Sequence, residues 1–274
     1  MPPPAAAASL PLMTDDQQAL LDHLVAALAA DPRVRSAWLS GSLAKGVGDA
    51  WSDVDVTVVV DEPDLAACLR DCAAGALALP VTVFSHLVHG RIFSGVTPGW
   101  DRFDLAFLTP AEFAGQDGAD QRRLLGETAA PPPRPAGPDR DAAARVTRLI
   151  FEFLRVLGLS PVCLGRQEWL VGQQGVELLR GMLVDLLLEE NGVPRAARGA
   201  KRLNGFLSDG QRAALQALPV PAANRAALLA AQGHIARLFL AHAKPLAGRL
   251  GVAWPEAFEA VTCDHLRREL GLEI

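Results

Sequence analysis

Residues 38–60, WLSGSLAKGVGDAWSDVDVTVVV, decide the predicted fold of this chain. A strand ends in Gly41-Ser42 and turns into a short helix; glycine lets the backbone approach a ligand, and a serine hydroxyl suits an oxygen anion. Asp53 follows twelve residues after Gly41, and Asp55 begins a β-branched run that predicts a buried strand. Because side chains two apart on a strand share one face, these carboxylates lie side by side. Adjacent carboxylates form a hard oxygen site suited to Mg²⁺ that carries substrate phosphates.

The patterns on both sides of this stretch predict a mixed α/β domain. Thr14 is the expected N-cap of a first helix, which ends at residues 31–32, and a second helix is expected at 63–78. Strands are expected at 34–39, 54–60, 81–88, 91–96 and 102–108. Residues 97–100, TPGW, separate the last two as a hairpin turn.

The sequence changes character at residues 129–138, AAPPPRPAGP, whose five prolines predict a semi-rigid linker. Helices are predicted beyond it at 141–157, 166–191, 208–218, 222–246 and 255–270, as in a helical bundle. The expected organisation is therefore a disordered tail at 1–13, a domain at 14–128, a linker at 129–140 and a bundle at 141–274. The fold class is α+β, with a mixed β-sheet and flanking helices in the N-terminal domain and an all-α C-terminal domain.

Composition excludes several classes of protein. The 274 residues include 26 Lys and Arg against 31 Asp and Glu, a net charge of −5, which argues against nucleic-acid binding through bulk charge. The sequence contains no run of about 18 apolar residues, so no membrane-spanning helix is predicted. The N-terminal residues lack the positive region of a signal peptide, so a cytoplasmic location is expected. The four cysteines form no CxxC pair, which argues against a zinc site.

The stretch resembles the signature of the nucleotidyltransferase superfamily that includes DNA polymerase β and the antibiotic nucleotidyltransferases. That signature is a hydrophobic residue, Gly-Gly or Gly-Ser, about ten residues, and then Asp-x-Asp or Asp-x-Glu in a hydrophobic strand. Gly41-Ser42 and Asp53-Val54-Asp55 supply it here. The signature is specific for the superfamily and not for the substrate, and the resemblance extends loosely over residues 14–110.

The resemblance implies a third carboxylate on a later strand, for which Asp104 is the candidate. Asp104 alternates with Phe103 and Leu105 and so points away from the phenylalanine face, whereas its rival Asp101 lies beside the turn. The implied chemistry is attack on the α-phosphate of ATP or another NTP, with release of pyrophosphate. Asp53 and Asp55 would hold one Mg²⁺ against the triphosphate and, with Asp104, a second ion about 4 Å away near the acceptor oxygen.

The same resemblance assigns the phosphate contacts and a general base. Gly41, Ser42 and Lys45 would contact the β- and γ-phosphates, and Lys201, in the basic cluster RGAKR at 198–202, could neutralise the triphosphate or pyrophosphate. Some antibiotic nucleotidyltransferases use a glutamate that accepts the proton of the acceptor hydroxyl.

Two helical glutamates and one strand aspartate are candidates for that base. Glu168 and Glu177 are nine residues apart, about 180° around a helix, so at most one of them faces a given cleft. Glu168 is preferred because it lies near the start of the predicted helix. Asp104 itself is the alternative, in a one-metal variant of the site. Trp100 and Trp169 are candidates for stacking on a base, with packing as the alternative role.

The layout of nucleotidyltransferase domain, Pro-rich linker and helical domain is similar to that of aminoglycoside and lincosamide nucleotidyltransferases. It implies transfer of a nucleoside monophosphate, AMP from ATP, to a hydroxyl of a small molecule. The alternatives are AMPylation of a macromolecular partner, as in the much shorter antitoxin-like relatives, and an inactive nucleotide sensor. The sequence leaves the acceptor, the preferred nucleotide and the oligomeric state open.

Overall fold

Two compact units make up the chain in the computed structural model, Met1–Ala136 and Gly137–Ile274. The structure describes residues 13–133, 141–195, 198 and 203–274. Residues 1–12 of the expected tail and 134–140 of the expected linker lie outside the described residues. The earlier part of that linker packs on the first unit, since Pro131 is buried and the Pro132 carbonyl accepts a hydrogen bond from Gly118 N (3.2 Å).

The first unit is an α/β domain. Its helices are α1 (Asp15–Ala29), α2 (Gly41–Ala44), α3 (Glu62–Ala73) and α4 (Pro110–Ala114), and its strands are β1 (Val34–Leu39), β2 (Val54–Val60), β3 (Phe84–Val88), β4 (Ile92–Val96), β5 (Arg102–Leu108) and β6 (Arg122–Gly126). The strands form one sheet in the order β3-β4-β5-β2-β1-β6. Strands β2 and β5 are parallel, and every other neighbouring pair is antiparallel.

The core of this unit lies against the central strands. Strand β2 is buried at every position except Asp55, and β5 alternates buried Phe103, Leu105 and Phe107 with partly exposed residues. Helix α1 adds its buried leucines to the same cluster. The unusual positions are therefore the acidic ones, Asp55 and Asp104, which interrupt two strands that are otherwise rich in buried apolar side chains.

Two elements of this unit were absent from the sequence prediction, helix α4 and edge strand β6. The predicted strand 81–88 begins only at Phe84, and the predicted helix 63–78 ends at Ala73. Helix α4 is a single turn fixed by a capping box at Thr109 and Glu112. Among the described residues strand β6 pairs only with β1, and it carries no apolar alternation that would reveal it.

The second unit is helical. It contains α5 (Ala142–Gly158), α6 (Ser160–Gly165), α7 (Trp169–Glu190), α8 (Asp209–Gln216), α9 (Arg225–Leu250) and α10 (Glu256–Leu270). Helices α5, α7 and α9 bury their apolar faces against one another. Near the centre the rings of Phe153 and Phe239 stack with centroids 3.7 Å apart. The predicted fold class, α+β followed by an all-α part, is confirmed.

Helix boundaries of the second unit differ from the prediction most at α7 and α9. The helix predicted from 166 begins at Trp169, because Gln167 takes a left-handed backbone conformation (φ 59°) and separates α6 from α7. Helix α9 begins later than predicted, at the Asn224 cap, and runs on through Pro245 to a left-handed Gly251. In the parts of the chain that the structure describes, no helix combines the length and apolar character needed to cross a bilayer.

Candidate active site

Three aspartates lie at one end of the central strands. Asp55 and Asp104 are register partners on the parallel strands β2 and β5, and both are partly exposed. Paired residues of neighbouring strands carry their side chains on the same face, with the backbones about 4.8 Å apart. Asp53 lies two residues before Asp55, directly ahead of β2, and its side chain is 18% exposed. The structure thus places the three aspartates that the sequence predicted as a group at the same end of two neighbouring strands.

Gly41 lies directly against the Asp55 carboxylate. The Ser40 N–H donates to the Asp55 carbonyl (2.9 Å), which joins the end of β1 to β2 at this level. Gly41 follows with a positive φ of 65°, and a Cβ at this position would lie 2.8 Å from Asp55 Cγ. Only glycine combines that backbone conformation with so close an approach. The Gly41-Ser42 turn is therefore built around the carboxylate.

The loop before Asp53 is held by helix α1. Gln17, which is buried, donates from its Nε2 to the carbonyls of Asp49 and Ser52, both at 2.9 Å. The same residue completes the capping box of Thr14 at the start of α1. Asp49 also accepts from the N–H of Trp51 (3.0 Å). These bonds fix the path of the chain into Asp53.

Asp53 already has a cationic partner. Arg102 Nη2 lies 3.1 Å from Asp53 Oδ1 and donates to the Trp51 carbonyl at 2.8 Å. Sequence reasoning missed this pair. A signal was available, because Arg102 lies two residues before Asp104 and so shares its strand face. It could be recognised only once β2 and β5 were known to pair in this register.

The predicted phosphate-binding residues differ in where they lie and in which partners they have. Gly41 lies against the Asp55 carboxylate and Ser42 follows it in α2, and both residues are partly exposed. Lys45 forms an ion pair with Asp120 (2.9 Å), in which both side chains are about 40% exposed. Lys201 lies outside the described residues. A further cation, Arg122, donates from Nε to the Ala44 carbonyl (2.6 Å) and braces the end of α2.

The other candidate residues lie at exposed helix positions or in a turn. Glu168 and Glu177 belong to the second unit, at the N-cap and on α7, and both are exposed. Asp101 takes part in the hairpin turn, where it accepts a hydrogen bond from the Thr97 hydroxyl (2.9 Å). Trp100, which is 72% exposed, has a positive φ of 69° in the same turn.

The cysteines of this unit serve the core. Cys68 and Cys72 on α3 are buried in the apolar cluster behind the sheet. Burial raises the pKa of the Cys72 thiol to about 12, so it stays protonated at neutral pH. A protonated thiol is neither a metal ligand nor a nucleophile, which leaves the carboxylates as the chemically distinctive group of the first unit.

A family model supports the resemblance. Residues 21–84 match the family model of the nucleotidyltransferase domain, a span that includes Gly41, Ser42, Asp53 and Asp55. No curated protein matches the chain. Among the solved structures that it matches is that of an aminoglycoside 6-adenyltransferase from Bacillus subtilis, with 14% identity, 91% of this chain and 97% of that chain covered, and a TM-score of 0.44. The family match confirms the resemblance to nucleotidyltransferases and the prediction that the chain is an enzyme of that class.

Proposed function

We propose that this protein transfers a nucleoside monophosphate, AMP from ATP, to a hydroxyl of a small molecule and releases pyrophosphate. The observation that carries the proposal is the register of Asp55 with Asp104, together with Gly41 packed on Asp55. Phosphoryl transfer needs little covalent chemistry from a protein, because catalysis comes from positioning and charge stabilisation. A rigid carboxylate group beside a tight Gly-Ser turn is suited to both tasks.

The donor set fits Mg²⁺. Among the residues that the structure describes, no group of three or more Asp, Glu, His or Cys side chains is close enough to hold a metal ion by itself. Magnesium does not require one, since it commonly takes one or two carboxylates and completes its shell with water and substrate phosphates. Asp53 and Asp55 would hold one ion and, together with Asp104, a second. Bound there, the ions would neutralise charge on the phosphate oxygens.

The remaining residues of the first unit would orient the triphosphate and the acceptor. Gly41 and Ser42 would receive the β- and γ-phosphates, and Lys45 would join them by exchanging its exposed partner Asp120 for a phosphate oxygen. Such an exchange is cheap, because an exposed ion pair contributes only about 0–1 kcal/mol. Lys201 remains a candidate for the same triphosphate.

The proton of the acceptor hydroxyl must leave as its oxygen attacks the α-phosphate. In a one-metal variant of the site, in which Asp104 holds no ion, Asp104 is the base that the first unit offers, since it is partly exposed and lies in register with Asp55. Where Asp104 holds an ion, Glu168 of the second unit is the preferred base and Glu177 is its alternative. The three candidates are separable by substitution, because loss of the base lowers kcat without abolishing nucleotide binding.

The proposed acceptor class rests on the similarity of the domain layout to aminoglycoside and lincosamide nucleotidyltransferases. The net charge of −5 favours a cationic acceptor, although only modestly. The intact Asp53, Asp55 and Asp104 favour an active enzyme over a nucleotide sensor.

A transfer screen on the full chain tests the proposal. The protein is incubated with Mg²⁺, each of the four NTPs and pooled aminoglycosides and lincosamides, and the products are analysed for pyrophosphate and nucleotide adducts. We expect an AMP adduct on a single drug class. Pyrophosphate without a drug adduct would contradict the acceptor class, and nucleotide binding without any pyrophosphate would contradict the activity.

Matched carboxylate variants assign the site. Asp104→Asn is expected to abolish transfer, and Asp101→Asn, on the neighbouring turn, to leave it within about threefold of wild type. The reverse result would make Asp101 the third carboxylate and overturn the assignment of Asp104.

A further inference from the structure

A row of polar residues crosses the sheet from the candidate site to the edge strand β3. Asp104 has two register partners, Asp55 on β2 and Ser94 on β4. Ser94 in turn pairs with His86 on β3. Register partners carry their side chains on the same face of a sheet, and neighbouring backbones are about 4.8 Å apart. The backbones of Ser94 and His86 therefore lie about 5 Å and 10 Å from that of Asp104, on the face that carries the aspartates.

The outer end of this row is aromatic and open to solvent. Phe84 lies two residues before His86 on β3 and shares its face, and the centroids of the two rings are 5.2 Å apart. Phe84 is 55% exposed, His86 is exposed and Ser94 is partly exposed. We call these three residues the β3–β4 strip. It offers two ring faces and one hydroxyl beside Asp104.

The strand order places the strip on one side of the aspartates and the predicted phosphate-binding turn on the other. Displacement at phosphorus holds the attacking and leaving oxygens roughly in line, on opposite sides of the α-phosphate. The proposed function assigns the β- and γ-phosphates to Gly41 and Ser42, which follow β1. Since the strands run β1-β2-β5-β4-β3 across the sheet, the leaving pyrophosphate lies on the β1 side of β2 and β5. The acceptor then approaches from the side of β4 and β3.

We propose that the β3–β4 strip binds the acceptor through a sugar-like ring. The inference rests on the proposed function, because the in-line argument requires transfer from a nucleoside triphosphate. A sugar ring has hydroxyls at its rim and an apolar face of C–H groups. Its hydroxyls pair with the Ser94 hydroxyl, which both donates and accepts, and its apolar face packs on Phe84 and His86. The strip extends about 10 Å from Asp104, enough for a ring beyond the reacting hydroxyl.

Drug binding is measured without turnover, so that it is separable from transfer. The purified full chain is loaded with Mg²⁺ and α,β-methylene ATP, an analogue whose bridge between the α- and β-phosphates resists cleavage. It is then titrated calorimetrically with kanamycin A, streptomycin and lincomycin, each of which contains a sugar ring. We expect saturable binding of at least one of the three drugs. Absence of saturable binding by all three overturns the proposal.

Alternate residues of β3 supply a matched pair of double variants. Phe84→Ala/His86→Ala removes the two rings of the strip. Ser85→Ala/Leu87→Ala removes the side chains between and beyond them, which point to the other face of the same strand. All four residues are exposed, so both variants should fold. We expect the first to weaken drug binding about tenfold and the second less than twofold. Equal losses, or no loss in the first, overturn the proposal.

The hydroxyl of the strip is tested by Ser94→Ala, with Ser85→Ala as the same substitution on the other face. Ser94→Ala should weaken drug binding about fivefold, the effect of one hydrogen bond, and Ser85→Ala should leave it unchanged. Unchanged affinity in Ser94→Ala would overturn the assigned contact between the ring hydroxyls and Ser94.

Steady-state kinetics with a drug that the transfer screen identifies distinguishes the two ends of the row. Phe84→Ala/His86→Ala should raise the KM of the drug about tenfold and leave the KM of ATP within twofold, whereas Ser42→Ala should raise the KM of ATP. A rise in the KM of ATP alone in the ring variant would place the nucleotide over β3 and β4 and overturn the proposal.

Failure of this inference differs from failure of the proposed function. Transfer to a drug whose KM is the same in wild type and in the ring variant would contradict the inference and leave nucleotide transfer standing. Drug binding that depends on the strip, in a chain that releases no pyrophosphate with any acceptor, would support the strip as a binding surface and contradict the proposed function.

Discussion

Replacement of Gly41 by alanine would place a methyl group where the Asp55 carboxylate lies. The new Cβ would be 2.8 Å from Asp55 Cγ, whereas carbon atoms in contact are about 3.5–4.0 Å apart, so the carboxylate must move by roughly 1 Å. A displacement of about 1 Å at a reacting centre costs on the order of 100-fold in rate. The positive φ of 65° adds about 1 kcal/mol of backbone strain.

Gly75 provides the matched control for this substitution. It has a similar φ of 70°, but a Cβ there would meet nothing within 4 Å. Gly75→Ala therefore carries the same strain, about 1 kcal/mol or roughly 4 °C in the unfolding midpoint, without the steric conflict. Any loss of activity in Gly41→Ala beyond the loss in Gly75→Ala is therefore caused by displacement of the Asp55 carboxylate.

The two variants are compared by thermal unfolding, by calorimetric titration with Mg²⁺ and ATP, and by the rate of pyrophosphate release. Both variants should unfold at a similarly lowered temperature. Gly41→Ala should also lose about 100-fold in pyrophosphate release, and Gly75→Ala less than threefold. If Gly41→Ala kept more than half of the wild-type rate, the reasoning that links Gly41 to Asp55 would be refuted.

Three further substitutions test other parts of the account. Gln17→Leu removes the two 2.9 Å hydrogen bonds to the loop before Asp53. It should lower the free energy of unfolding in urea by about 1–3 kcal/mol and should also lower the transfer activity. If neither the stability nor the activity fell, the anchoring role of Gln17 would be contradicted. Arg102→Met removes the cation 3.1 Å from Asp53 and should raise the Mg²⁺ affinity, measured by calorimetry, up to about fivefold, because Arg102 competes with Mg²⁺ for that carboxylate. An unchanged or lower Mg²⁺ affinity would contradict this competition. In the helical unit, burial alone would raise the pKa of Glu189, but hydrogen bonds, from Arg145 among others, outweigh it and lower that pKa. The stability that Glu189 contributes is thus complete above its unfolded pKa of about 4.3 and is lost as pH falls through the lowered folded value. Glu189→Gln should therefore cost about 3 kcal/mol at pH 7 and clearly less near pH 3, and a cost independent of pH would contradict this.

Local signals predicted the local structure well. The Thr14 cap, the β-branched run of β2 and the alternation of β5 each reflect short-range chemistry, and each element lies where it was expected. Strand β6 escaped prediction because its pairing with β1 spans more than eighty residues and its own sequence is polar at the start. Long-range pairing of this kind leaves no trace in a short window of sequence.

The same limit applies to the site. The spacing of Asp53 and Asp55 predicted that they share a face, but only the register of β2 with β5 sets Asp104 beside Asp55 and Arg102 beside Asp53. The turn at Gln167, which separates α6 from α7, was also not predicted, because it needs a positive φ at a residue type that rarely adopts one.

Nucleotide transfer by the double variant Asp53→Asn/Asp55→Asn tests the central claim most directly. Wild type and variant are compared with Mg²⁺, ATP and the acceptor that the screen identifies, after circular dichroism has shown that both are folded. The account predicts pyrophosphate and an adduct from wild type, and a rate lower by at least about 1,000-fold from the variant. A folded double variant that transferred nucleotide at the wild-type rate would contradict the assignment of these carboxylates.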